Sequence, residues 1–350
     1  MYAMRAITSA IKTPIKRTLG LGLDALGVSD RRLAALTSNG PVWFIATFHR
    51  VSEKAADGTF DGQMCVPKAL FREQLAYLKA HYEVMQVGEV MQRASAGQSL
   101  PPKIASITFD DGYLDNMVIA KPVLDELRVP WSTYVVTGGL ETSEDFWWDR
   151  ALRAFRNWPG NTIDLRKLKL SVFGDVVKRG PRTAEVVAGQ LVARLWSLKH
   201  GDVERVLQYI EAYSPHASDG VRRRVNAEEV AKLSSDGVEI GVHTVRHPNL
   251  ALLTAEEVER EVRDSRLRLE AICGAPVHGF AYPGGRFNDE TVRVVSSQGM
   301  SYALSTVSDI NRLPFDSFRL RRISMPTLSM PDFKRALASV LTRAAAARRG

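Results

Sequence analysis

Ile104-Ala105-Ser106-Ile107-Thr108-Phe109 is an unbroken apolar and β-branched run that ends abruptly in Asp110-Asp111-Gly112. A run of this composition, without polar alternation, predicts a strand buried on both faces, as in the parallel sheets of α/β proteins. Asp-Asp-Gly is poor strand material, so the two carboxylates should stand at the strand's carboxyl end, where α/β folds bind ligands. Adjacent carboxylates repel, and a folded chain tolerates them best when one meets a cation. Taken alone, the pair fits a turn before the next helix as well as it fits a site.

A second buried-strand run, Val238–Val242, leads directly into His243-Thr244-Val245-Arg246-His247-Pro248. Two imidazoles four residues apart, joined by a carboxylate from elsewhere, make an N,N,O set suited to zinc or a similar divalent ion. Two ordinary loop histidines are the alternative in a chain with seven His. Each pattern is weak by itself. One strand ending in Asp-Asp and a later one ending in His-x-x-x-His form a much stronger combination.

Thr108-Phe109-Asp110-Asp111-Gly112-Tyr113, then His243 to Pro248, then Phe280-Ala281-Tyr282-Pro283-Gly284-Gly285 resemble, in order, the first three motifs of the polysaccharide deacetylases. These are the carbohydrate esterases with a NodB-homology domain. The resemblance runs from about Trp43 to about Pro326 and is interrupted by an insertion. It implies an α/β fold, a distorted (β/α) TIM-like barrel, and a zinc or other divalent ion used to hydrolyse N-acetyl groups on amino sugars. By motif match, Asp111, His243 and His247 would hold the metal, Asp110 would be the general base, and the Gly284 N–H would face the oxyanion. His49, at the end of the apolar strand Val42–Phe48, stands where the family often has a histidine near the metal.

The chain also departs from the family pattern. Ala281 occupies the position where many members carry an arginine that pairs with the base; Arg319, Arg321 and Arg322 are the candidates to replace it. The late Leu-x-His motif, whose histidine protonates the leaving amine, is absent, and no histidine follows His278. His49 is therefore the first candidate for the acid, ahead of His81 and His278. The alternatives to an N-deacetylase are a hydrolase of another acyl group, O-acetyl or N-formyl, and a barrel that only binds glycans.

The remaining sequence predicts repeated strand–helix units, with helices over 69–82, Asn116–Leu127, Ala227–Ser235, Thr254–Ile272 and Asn288–Gln298, and closure of the barrel by Phe318–Met325. Between Gly138 and Asn226 that rhythm gives way to helical patterns without a convincing strand, which reads as a mostly helical insertion placed as a lid or substrate platform. Trp147 and Trp148, at its root, favour hinge packing over sugar stacking. The expected organisation is a basic amphipathic segment over 1–40, a barrel over 41–330 containing the 138–226 insertion, and a basic tail over 331–350.

The formal net charge of +8 is concentrated at the ends, about +4 in residues 1–32 and +7 in 317–350, which leaves about −3 between them. A basic core would point to nucleic acid; basic ends argue against it and read first as solvated tails, with contact with an anionic membrane surface or a phosphate-bearing substrate as the alternative. Met1–Leu36 lacks a continuous apolar stretch after its charges, so a cytoplasmic enzyme is expected, with the inner membrane face as one place it could rest. Cys65 and Cys273 have neither metal-site nor redox spacing.

Overall fold

The computed structural model describes residues 42–54, 64–142, 144–159, 162–169, 177–178, 184–214 and 221–346. The predicted amphipathic segment at the N-terminus and the last four residues lie outside this set. Eight strands run parallel: β1 (Val42–Phe48), β2 (Glu83–Val84), β3 (Lys103–Asp111), β4 (Ser132–Val135), β5 (Glu239–Val242), β6 (Gly279–Ala281), β7 (Tyr302–Leu304) and β8 (Ile323–Ser324). Their hydrogen-bonded order is β7-β6-β5-β4-β3-β1-β8. Along one side of β3, β2 pairs with the first half and β4 with the second.

Closure comes from a single segment. Leu320 bridges to Leu304 of β7, and three residues later Ile323 pairs with Ala46 of β1. The stretch predicted to close the barrel thus spans its two edges and completes a distorted (β/α) barrel.

Side-chain alternation divides β1 between two cores. Val42, Phe44, Ala46 and Phe48 pack outward with the helices, while Trp43 and Ile45 pack inward with Tyr134, Tyr302 and Leu304. The interior is partly polar and internally satisfied: Trp43 Nε1 donates to Ser106 Oγ at 3.0 Å, and the Tyr134 and Tyr302 hydroxyls lie 3.0 Å apart. Glu239 accepts from Tyr302, Ser132 and the Gly88 N–H. In β3 the same alternation sends Ala105, Ile107 and Phe109 to the helices, which puts Asp110 on the interior face with Ile104.

Helices α1 (Lys68–His81), α2 (Val87–Ser95) and α3 (Lys121–Leu127) follow the early strands, a π turn over Asn116–Ala120 preceding α3. Helices α4 (Trp147–Arg156), α5 (Ala184–Leu195) and α6 (His200–Tyr213) belong to the insertion. Helices α7 (Ala227–Ser235), α8 (Ala255–Cys273) and α9 (Asp289–Ser297) each start with a capping box, from Asn226 and Glu229, Thr254 and Glu257, and Asn288 and Thr291. The C-terminal helix α10 (Met330–Ala346) packs on α1. The insertion is mainly helical with its own apolar core, but it also contains a short antiparallel pair, Thr162–Ile163 with Val177–Lys178, which the sequence did not reveal. Two-residue strands carry too little periodicity to be legible.

Candidate metal and catalytic site

The site forms at the carboxyl ends of β3 and β5. Asp111 is the last residue of β3, and His243 follows β5 directly. Among the described residues, five non-glycine positions have positive φ; Asp111 (75°), Thr244 (68°) and His247 (56°) are three of them. Backbone strain is therefore gathered where chemistry is expected. The surroundings hold that strained loop. Glu261 of α8 accepts from the Val245 and Arg246 N–H groups, each at 2.9 Å, and the His247 N–H donates to Thr244 Oγ1 at 2.9 Å.

Three potential ligand atoms converge. His243 Nε2 and His247 Nε2 are 3.1 Å apart, and they lie 3.4 and 3.5 Å from Asp111 Oδ1. All three residues are buried. Bonds of roughly 2.0–2.2 Å in a tetrahedral arrangement separate neighbouring ligand atoms by about 3.3–3.5 Å, so the triangle fits a divalent ion. The tautomer of His243 agrees: Nδ1 lies 2.8 Å from the Ala281 carbonyl, which can only accept, so the proton sits on Nδ1 and Nε2 keeps its lone pair. His247 Nδ1 has no partner among the described residues. Its ring is instead wedged between Trp148 and Trp196, with centroids 4.5 and 5.2 Å away. Burial, with His243 adding to it, pushes the His247 pKa down to about 3, which keeps the ring neutral and competent as a ligand.

Asp110 faces the barrel interior and meets Arg322, whose two Nη groups donate to its two oxygens at 2.7 Å each. Arg322 Nε donates to the Ser305 carbonyl at 2.9 Å, so the residue that follows β7 fixes the guanidinium. Burial, the largest single influence, would raise the Asp110 carboxyl, but the Arg322 charge and hydrogen bonds, with His243 and His49 nearby, together outweigh it and hold the group well below the usual carboxylate range. Of the three arginines considered from sequence, Arg322 is the one that replaces the missing motif arginine. Arg319 pairs with Asp316 and Asp289, and Arg321 pairs with Asp309, all away from Asp110.

His49 is half-buried just beyond β1 and close enough to contribute to the electrostatics of Asp110 and Asp111. Its carbonyl accepts from Asn116 Nδ2 at 2.8 Å. His81 is exposed and stacked on Tyr77, and His278 is exposed at the start of β6, the end of the barrel opposite the site. Gly284 sits in the turn Pro283–Gly285 at φ 55°. A Cβ there would come within 3.1 Å of Trp196 Cη2, so the glycine serves both the turn and the close approach of that ring.

Trp147 and Trp148 are buried packing residues, as expected, yet they pack on the His243–His247 loop itself: Trp147 Nε1 donates to the His247 carbonyl at 3.2 Å. The sequence did not single out Trp196 or Glu261. Tryptophan in a helical segment carries no signal of its neighbours, and Glu261 is one of many acids on α8.

Residues 199–303 match the polysaccharide deacetylase family. That region is similar to polysaccharide deacetylase domains. The matched region takes in His243, His247 and Gly284; Asp110 and Asp111 precede it in the chain. Bacillus subtilis YlxY, an uncharacterized protein, is 25% identical over 126 residues, 35% of this chain and 40% of that protein. The poly-β-1,6-N-acetyl-D-glucosamine N-deacetylase of Escherichia coli K12 is 31% identical over 104 residues, 29% of this chain and 15% of that protein. The chain thus spans less than half the length of either relative. Among solved structures, the Streptococcus pyogenes deacetylase PplD in complex with acetate shares the fold, with a TM-score of 0.58 at 17% identity, covering 87% of this chain and 99% of that one.

Proposed function

We propose that this chain is a metal-dependent hydrolase that removes N-acetyl groups from the amino sugars of a polysaccharide or glycoconjugate. The observation that carries this reading is the convergence of Asp111, His243 and His247 beside the buried Asp110–Arg322 pair. A barrel that merely binds glycans has no use for a buried, ionised carboxylate next to such a triad.

Asp111, His243 and His247 would hold one divalent ion, with zinc the first choice for an N,N,O set. Bound there, the ion supplies Lewis acidity toward an acyl carbonyl and lowers the pKa of water. Asp110, kept ionised by Arg322, accepts the proton of the attacking water. The Gly284 N–H donates to the acyl oxygen as charge builds on it, and His49 delivers a proton to the departing amine nitrogen. A β-1,6-linked N-acetylglucosamine polymer, named by the Escherichia coli relative, is the first substrate to try.

The test is acetate release by the metal-loaded chain from N-acetylglucosamine oligomers and lipid-linked N-acetylglucosamine, with and without chelator. Release that stops with chelator and returns with a divalent ion is the expected result. His243→Ala should lose ion and turnover together, whereas Asp110→Asn should keep the ion and lose turnover by about 100-fold or more. Full ion occupancy in His243→Ala, or release indifferent to chelation, overturns the assignment.

A further inference from the structure

Three tryptophans crowd the metal loop, and two of them have structural work that accounts for them. Trp147 and Trp148 are buried, and each indole N–H has an acceptor: the His247 carbonyl at 3.2 Å for Trp147 and the Tyr113 hydroxyl at 2.7 Å for Trp148. Trp196 differs on both counts. It is half-buried, and its indole N–H has no acceptor among the described residues. Packed tryptophans normally satisfy that donor, while binding surfaces use an apolar ring with a free polar edge.

Its position is specific. Trp196 stands at the end of α5, in the insertion, where its backbone N–H continues the last turn by donating to the Val192 carbonyl at 3.1 Å. Asn249 Nδ2, two residues past His247, donates to the Trp196 carbonyl at 2.8 Å and ties the insertion to the metal loop. The ring meets Trp147 edge-on at 5.3 Å and His247 at 5.2 Å, and it lies against Gly284. One side chain thus touches both the metal loop and the turn that carries the proposed oxyanion donor.

We infer that Trp196 is a substrate-positioning residue, the wall on which the sugar ring bearing the acyl group packs, with its indole N–H left to bond a sugar hydroxyl. This rests on the deacetylase reading above. Sugar C–H faces pack on indole rings, and a wall fixed between His247 and Gly284 orients the acyl group toward both. The insertion then acts in recognition, contributing a contact that the barrel lacks.

The experiment compares the metal-loaded full chain with Trp196→Ala and Trp196→Phe on two substrates, a pentamer of β-linked N-acetylglucosamine and 4-nitrophenyl acetate, which has no sugar. Trp196→Ala should lower kcat/KM on the pentamer by about 30-fold, mainly through KM, the scale of losing an aromatic anchor. Trp196→Phe should lose less, about three- to tenfold, because the ring stays and the N–H goes. Ester hydrolysis should stay within about twofold in Trp196→Phe, whose ring keeps the contact with His247, and should fall less than pentamer hydrolysis in Trp196→Ala. Should Trp196→Ala fail to fold, Trp196→Phe decides: an unchanged pentamer KM overturns the inference, as does an equal loss on ester and pentamer. A binding arm separates this inference from the deacetylase reading. Glucosamine pentamer should quench the tryptophan fluorescence of the wild type and have a much smaller effect on Trp196→Phe. If no sugar substrate releases acetate, the deacetylase reading falls and this arm still judges Trp196. Equal quenching in the two proteins overturns its role.

Discussion

His49 has the clearest residue-level test. Amide hydrolysis requires a proton on the departing nitrogen, and an imidazole near the Asp110–Asp111 pair is suited to deliver it. His49→Ala should slow turnover on an N-acetyl sugar by about 100-fold, with a smaller loss on an ester whose leaving group needs little protonation. Metal content and melting temperature should be unchanged, and equal losses on amide and ester would refute the role. Arg322 is tested by stability. Its guanidinium is buried against Asp110, so Arg322→Met strands an uncompensated carboxylate and should cost about 3–5 kcal/mol, read from urea unfolding. Asp110→Asn/Arg322→Met, which removes both charges, should recover part of that loss; no recovery would show that the pair is not coupled.

At the scale of elements, the barrel interior depends on small residues in its short strands. A Cβ on Gly241 of β5 would fall 2.3 Å from the Tyr134 ring, and one on Gly279 of β6 would fall 2.3 Å from the Tyr302 hydroxyl. These glycines make room for the two tyrosines that bond to each other and, through Tyr302, to Glu239. Gly241→Ala should therefore destabilise the chain by about 1–3 kcal/mol through overpacking, measured by thermal unfolding. Because β5 leads straight into His243, the same substitution should also weaken metal affinity. A stable variant with unaltered affinity would show that the interior is looser than its contacts indicate.

For the whole molecule, the site joins residues from β3, the β5 loop, the β6 turn, the closing segment and the insertion, so ligand binding and folding are coupled. An ion that binds only the folded chain at 100 times its dissociation constant adds about 2.7 kcal/mol, so chelation should lower the melting temperature of the wild type and leave His247→Ala unmoved. The metal-free form should also be acid-sensitive. His247 has a pKa of about 3 in the fold against 6.5 ordinarily, so below 6.5 the unfolded chain takes the proton first. Stability should fall as pH drops from 6.5 toward 3, with a shallower slope in His247→Asn. Identical slopes would refute the buried, neutral imidazole.

Local chemistry by itself determined the buried strands β1, β3 and β5, the capping box of α8, and the Asp-Asp and His-x-x-x-His pairs, because strand composition, cap spacing and ligand type are written in neighbouring residues. Only the tertiary structure decided which arginine meets Asp110. Arg319, Arg321 and Arg322 are equivalent in composition, and register alone places Arg322 at the point where the closing segment crosses from β7 to β1. The same holds for Trp196, 47 residues before His243 in the chain and in contact with His247 because α5 and the Asn249 loop fold together. Contacts between residues distant in sequence depend on how the elements close around one another, and no local periodicity records that.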